Sequence, residues 1–203
     1  MIDLYTFGTG NGWRASIALE ECGLPYRTHK VDFAKGEQNA PSFREINPFG
    51  KIPVIVDSDG PRGERITINE SGAILLYCSE KAGKFIPSDP VERMAALRWV
   101  FHAVSDASEP ISAHFRLSRL PQKPEGVLAH YYGRLSSTLK EVDAHLAGRE
   151  YLVGDISIAD LAFYTVAAQG KSLVSTDALV HLQRWLDALA ARPGVIRGMA
   201  VPG

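Results

Sequence analysis

Two rhythms of apolar and polar residues divide the chain. In the first part, short apolar runs of strand length alternate with amphipathic stretches. After the segment 81–92, only helical spacing remains. Ile2 to Phe7 has the length of a strand and is broken by Gly8-Thr9-Gly10-Asn11-Gly12. Apolar residues at 13, 17, 18 and 22, with Arg14, Ser16, Glu20 and Glu21 between them, predict a helix over Trp13 to Cys22, stopped by Gly23-Leu24-Pro25. Arg27 to Val31 reads as a second strand, which a crossover helix of that length places parallel to the first. A short helix over Pro41 to Ile46 follows. Pro53 then opens the run Val54 to Val56, and Ile66 to Ile68 is its antiparallel partner across the turn residues Asp59-Gly60-Pro61-Arg62-Gly63. Glu70-Ser71-Gly72 opens the next helical stretch, Ala73 to Tyr77, where a carboxylate and a hydroxyl could cap unpaired backbone N–H groups.

Gly83, Pro87, Ser88, Asp89 and Pro90 mark a linker. Beyond it, Arg93 to about Leu117 is periodic through Leu97, Val100, Phe101, Val104 and Ile111, with Pro110 expected to kink it. A second long helix is predicted over Glu125 to Leu146, ended by Gly148. Ser157 is a good N-cap with Asp160 at N3, an acidic capping box, and Ile156 is placed to staple to Leu161. A last helix, about Asp177 to Ala191, is expected to stop at Arg192-Pro193-Gly194. The pattern predicts an α/β domain over residues 1–81 and an all-α helical-bundle domain over 90–203.

Composition narrows the function classes. A net charge of −1 with no basic stripe or like-charge block gives no footprint for nucleic acid or an anionic membrane. No apolar run approaches the length of a membrane span, and Met1-Ile2-Asp3-Leu4-Tyr5 does not open a secretory signal, so a cytoplasmic location is expected. The two cysteines, Cys22 and Cys78, fall within predicted helices without a Cys-x-x-Cys or Cys/His cluster. They read as reduced core residues, and no metal is expected. The three glycines at 8, 10 and 12 lack the Lys-Ser/Thr of a P-loop and the spacing of a dinucleotide fingerprint.

The candidate chemistry lies between Asn47 and Ser71. Asn47-Pro48-Phe49-Gly50-Lys51-Ile52-Pro53, followed one hairpin later by Asn69-Glu70-Ser71-Gly72-Ala73-Ile74, resembles the N-terminal domain of the glutathione transferase superfamily, a thioredoxin-like fold. The resemblance implies a cis Pro53 that aims the Ile52 backbone at the cysteinyl part of glutathione, with Glu70 and Ser71 receiving the γ-glutamyl end. Lys51 suits the glycyl carboxylate, and Asn11 and Gln38 are further contacts. Outside a binding role, the same residues would be turn and cap residues only. The box at Ser157 and Asp160 resembles one at the start of a buried helix in the same family, and its role is structural.

Thr9-x-Asn11-Gly12 at the first strand-to-helix turn resembles the bacterial Nu class, related to the yeast nitrogen-regulator prion domain. Gly10 stands here where that group has Pro. The resemblance implies an enzyme using glutathione as co-substrate, either to attack a small electrophile or to reduce a disulfide. A non-catalytic binding or regulatory protein of the same fold is the alternative. Lowering a thiol pKa by about two units from ~8.5 requires about 2.7 kcal/mol of preferential thiolate stabilisation. Asn11 is the first candidate to supply it, Thr9 the second, and the Tyr5 hydroxyl the alternative. Trp13, His102, Asp106 and Phe115 are expected to line a second-substrate pocket between the domains, although each also suits a packing or solvated role. The resemblance further implies a homodimer, the N-terminal domain of one protomer lying against the C-terminal helices of its partner.

Overall fold

Strand β1 (Ile2–Thr6) sits inside a four-stranded sheet of order β2-β1-β3-β4. It pairs in parallel with β2 (Tyr26–Lys30) and antiparallel with β3 (Val54–Asp57), which in turn pairs antiparallel with β4 (Ile66–Asn69). All four β3 residues are buried, so this strand is covered on both faces. Along β1, Ile2, Leu4 and Thr6 are buried, whereas Tyr5 points the other way. There it joins Val31, Phe43 and Val54, under the short helix α2 (Pro41–Ile46). The computed structural model describes all residues 1–203 and divides them into two compact units, residues 1–86 with 191–203 and residues 87–190.

Helix α1 (Gly10–Cys22) begins three residues earlier than its apolar spacing predicts, because Thr9 takes an extended conformation and its Oγ accepts the Gly12 N–H at 3.2 Å. The helix has little of the expected polar face, for Arg14 and Ser16 are both buried. The cover includes a helix that the sequence pattern does not predict, α9 (Pro193–Met199), in which Pro193 occupies the first turn instead of merely stopping the preceding helix. Ser16 donates to the Gly198 carbonyl at 2.6 Å, and a Cβ on Gly198 would lie 2.7 Å from Ile17 Cα, so the two backbones touch there. Glu21 accepts from Arg192 Nη2 at 2.6 Å and from the Val195 N–H at 3.1 Å. Residues 191–203 therefore pack with the first unit, unlike the rest of the expected 90–203 domain.

The second unit is helical: α4 (Pro90–Val104), α5 (Glu109–Leu117), α6 (Glu125–His145), α7 (Ile158–Gly170) and α8 (Val180–Ala190). Pro110 opens α5 and does not kink one long helix, since the chain leaves helical geometry at Ser105, whose φ and ψ are −108° and −100°. Helix α7 is buried continuously from Ile158 to Ala167 and forms the centre of the unit. Its capping box forms as expected. The fully buried Asp160 carboxylate accepts from the N–H of Ser157 at 3.0 Å, Leu152 N–H at 3.0 Å and Trp185 Nε1 at 2.9 Å. No helix is long and apolar enough to cross a membrane.

Helix α3 (Ser71–Ala82) is tied to the sheet through a second buried carboxylate. Asp57, at the end of β3, accepts from the Tyr77 hydroxyl at 2.7 Å, the Asp59 N–H at 2.9 Å and Lys81 Nζ at 3.0 Å. Burial alone would raise its pKa, but these three donors outweigh burial and lower it. Because the folded pKa lies below the unfolded one of about 3.9, this carboxylate stabilises the fold above that pH and the contribution is lost as pH falls. Urea unfolding from about pH 6 to pH 2 should show a shallower loss of stability in Asp57→Asn than in wild type, from a lower starting value. Equal acid slopes would contradict this assignment.

Candidate functional site

The turn from Phe7 to Gly12 is fixed by steric exclusion. A Cβ on Gly12 would lie 2.1 Å from the Phe7 carbonyl oxygen and 2.6 Å from Thr6 Oγ, so only glycine lets the helix start so close to the strand end. The first turn of α1 thus presents its unpaired N–H groups and positive dipole end beside Thr9 and Asn11. Thr9 Oγ acts as acceptor for the cap, which leaves its hydroxyl proton to donate elsewhere.

Asn11 is exposed, but its amide is held from below. Arg14 Nη1 donates to Asn11 Oδ1 at 2.7 Å and to Ser71 Oγ at 2.8 Å, and the Ser71 hydroxyl donates to Asn11 Oδ1 at 3.5 Å. One guanidinium nitrogen therefore joins the start of α1 to the start of α3. Arg14 is 1% exposed, and burial lowers its pKa to about 10, so it remains a cation at neutral pH.

The cis Ile52–Pro53 bond implied by the resemblance is present. The loop before it is held by the buried Asn47, whose Nδ2 donates to the Lys51 carbonyl at 2.7 Å and whose Oδ1 accepts the Phe49 N–H at 3.2 Å. Asn69 Nδ2 donates to the same Oδ1 at 3.2 Å, which brings residues 51–53 beside Glu70 and Ser71. Glu70 has φ of 68° and ψ of 116°, a conformation that costs a non-glycine residue about 1–3 kcal/mol. Its side chain makes no capping bond, and the Ser71 hydroxyl is engaged with Arg14. Capping therefore does not explain this pair.

The remaining expected residues are more scattered. Gln38 lies in a single 3₁₀ turn, half-buried, with Oε1 unpartnered, and Lys51 is exposed. The Tyr5 ring stacks on His29 with centroids 4.6 Å apart, on the α2 side of the sheet. Trp13 is half-buried in the first turn of α1. In the second unit, His102 stacks on Phe163, Asp106 faces Arg134 at 3.9 Å, and the Arg119 guanidinium lies 3.5 Å from the Phe115 ring centroid. Each thus has a partner of its own. Arg14 was hidden by its polarity, which marks it as solvent-facing in the helical pattern. Its position three residues after Asn11 was the available signal.

The family model for the glutathione S-transferase N-terminal domain matches residues 11–81, and that for the C-terminal domain matches residues 97–193. The chain belongs to the glutathione S-transferase family. It is 34% identical over 197 residues to the disulfide-bond oxidoreductase YfcG of Escherichia coli, covering 95% of this chain and 92% of the relative. It is 31% identical over 169 residues to the protein URE2 of Debaryomyces hansenii, covering 76% of this chain and 52% of the relative. These two relatives match the group to which the Thr9-x-Asn11-Gly12 turn pointed. A glutathione transferase from Pseudomonas putida, solved with one glutathione disulfide bound per subunit, superposes with a TM-score of 0.93 at 32% identity, covering 100% of this chain and 92% of that one.

Within this family fold, the glycine contact at the strand-to-helix turn is the simplest feature to challenge. Gly12→Ala must push the turn off the Phe7 carbonyl. An overpacking cost of about 1–3 kcal/mol should lower the melting temperature by several degrees in a scanning measurement. An unchanged melting temperature would mean that the turn relaxes freely.

Proposed function

We propose that the protein binds glutathione in its first unit and uses the bound thiolate to reduce disulfides, with transfer to small electrophiles as the second reaction of the same thiolate. The observation that carries this reading is the placement of Asn11, at the N-terminus of α1, beside Ser71 of the Glu70–Ser71 pair. The pair offers a carboxylate for the ammonium and a hydroxyl for the carboxylate of the γ-glutamyl end. The Ile52 backbone suits the cysteinyl part and Lys51 the glycyl carboxylate. Gln38 is an additional contact.

The nucleophile is glutathione's own sulfur. Cys22 and Cys78 are both buried, and burial raises the pKa of each, so neither is an available thiolate. A glutathione thiolate attacks one sulfur of the substrate disulfide, forming a mixed disulfide and expelling the other sulfur as thiolate. A second glutathione thiolate then displaces the remaining substrate sulfur, giving glutathione disulfide, so two glutathiones supply the two electrons. Disulfide reduction is favoured over conjugation because of the similarity to YfcG, named as a disulfide-bond oxidoreductase, and to the Pseudomonas putida protein holding glutathione disulfide. The reaction fits a cytoplasmic protein with reduced cysteines. Trp13, half-buried in the first turn of α1, is proposed as a wall of the second-substrate site.

A charge-assisted hydrogen bond from Asn11 contributes roughly 1.5–3 kcal/mol to the thiolate and the helix N-terminus about 0.3–1 kcal/mol more. Asn11→Ala should therefore raise the thiol pKa of bound glutathione by about 1–2 units, read from thiolate ultraviolet absorbance. Thr9→Ala should raise it less, and Tyr5→Phe should leave it unchanged. Turnover of 2-hydroxyethyl disulfide should exceed that of an aryl halide. If Tyr5→Phe alone shifts the pKa, a tyrosine mechanism replaces this one; no turnover with either substrate would favour the non-catalytic alternative.

The proposal extends to a homodimer. Val91, Met94 and Phe101 lie along one face of α4 and are 77%, 66% and 68% exposed, and Phe49 in the first unit is 71% exposed. Burying the α4 stripe of one protomer against the first unit of its partner would remove this apolar surface from water. Light scattering at micromolar concentration should give twice the 22.2 kDa chain mass, and Met94→Glu with Phe101→Glu should give the monomer. A wild-type monomer would exclude this assembly.

A further inference from the structure

We infer that Arg14 is a positioning residue for glutathione activation, setting the hydrogen-bond polarity of Asn11 and Ser71 together. The inference rests on the glutathione reading above and assigns a role within the same site. Asn11 can present either end of its amide to the ligand, and only one end can stabilise a thiolate. The choice is made by Arg14. With its oxygen 2.7 Å from Nη1, the Asn11 carbonyl is held inward and the NH2 group is left to face outward as a donor. The flipped amide would set two donors against each other beneath the site. Ser71 is constrained in the same way. Its Oγ accepts from Nη1 at 2.8 Å, and its own proton, held only by a long 3.5 Å bond to Asn11 Oδ1, can turn to a γ-glutamyl carboxylate.

The residue's surroundings support a role beyond packing. A guanidinium only 1% exposed is expensive to bury, and an apolar side chain of similar volume commonly serves as well where only packing is needed. Arg14 reaches from the first turns of α1 to the first residue of α3, a separation of 57 positions in sequence, and both acceptors are residues of the proposed site. Because one nitrogen serves both oxygens, displacement of either acceptor disturbs the other. Ser71 and Asn11 are thereby coupled, and with them the γ-glutamyl end and the cysteinyl thiolate of glutathione that they are proposed to meet.

The test titrates bound glutathione thiolate and measures glutathione affinity by calorimetry in wild type, Arg14→Met, Arg14→Lys, Asn11→Ala and the Asn11→Ala/Arg14→Met double variant. Arg14→Met should raise the bound thiol pKa by about one unit and weaken affinity about tenfold, roughly 1.4 kcal/mol, with Arg14→Lys recovering part of both. The double variant should have a thiol pKa no higher than Asn11→Ala alone, because Arg14 acts through Asn11. Additive pKa shifts, or a folded Arg14→Met with wild-type pKa and affinity, would overturn the inference. A fall in melting temperature with an unchanged bound thiol pKa would assign Arg14 to structure only. Should Arg14→Met not fold, Arg14→Lys decides: it keeps the charge but loses the planar guanidinium that serves both oxygens, so the bound thiol pKa should rise by part of a unit, and a folded Arg14→Lys with wild-type thiol pKa and affinity would overturn the inference. Wild type separates the two levels. Absence of glutathione binding or an ordinary thiol pKa there defeats the functional reading itself, whereas a normal wild type with an inert Arg14→Met defeats only the role of Arg14.

Discussion

Helix α1 is buried on nearly every side, and the first unit is arranged around that constraint. From Arg14 to Leu19 every residue is buried, so polar side chains within the run must find partners inside the protein. Ser16 finds a carbonyl of α9, and Arg14 finds Asn11 and Ser71. Glu21, further along the helix, finds Arg192. Each pairing answers a desolvation cost and, in doing so, fixes the neighbouring element in position. The site is thus set by the same requirement that holds α9 and α3 to the helix.

This constraint also separates what could be read in the chain from what could not. The hairpin from Val54 to Asn69, the cap at Thr9–Gly12 and the box at Ser157 and Asp160 depend on residues close in sequence, and local chemistry specifies them. The burial of Arg14 and Ser16 depends in part on elements far along the chain, and nothing in the periodicity of α1 reveals that cover. A polar residue between apolar ones reads as solvent-facing until its partner is known. The prolines show a second ambiguity. Pro110 and Pro193 can end one helix or open the next, because the first helical turn needs no N–H from that residue. In both cases the chain opens a new helix.

The candidate site was legible as a motif but not as a mechanism of positioning. The Asn-Pro-Phe-Gly and Asn-Glu-Ser segments identify their own neighbourhood, and the Asn47–Asn69 hydrogen bond shows how they come together. Sheet alternation puts Tyr5 opposite Leu4 and Thr6, yet the sequence does not say which face α1 covers. Glu70 is more instructive. A carboxylate beside a hydroxyl at a helix start reads first as a cap, but at φ 68° the Glu70 side chain makes no cap bond. A strained residue that forgoes the ordinary use of its side chain is a stronger pointer to binding than the residue type alone.

In the proposed site, thiolate formation and glutathione docking are joined by a shared atom, Arg14 Nη1, without any long network. The required stabilisation, about 2.7 kcal/mol for a two-unit shift, lies within reach of one well-oriented amide donor plus a helix terminus. Orientation therefore matters more than the number of donors, since an amide turned the wrong way would oppose a thiolate with its carbonyl dipole. A buried cation beneath the amide removes that wrong orientation because two opposed donors have no favourable geometry. The same nitrogen makes Ser71 an acceptor on its inner side, while its proton rests on a long 3.5 Å bond to Asn11 Oδ1. In the proposed site, a buried guanidinium whose solvation loss would make it a poor stabilising element becomes useful once its hydrogen bonds are counted beneath both the thiolate and the γ-glutamyl group. On the proposed role, that balance accounts for a polar residue at a fully enclosed position of a helix otherwise packed by Ala15, Ile17, Ala18 and Leu19.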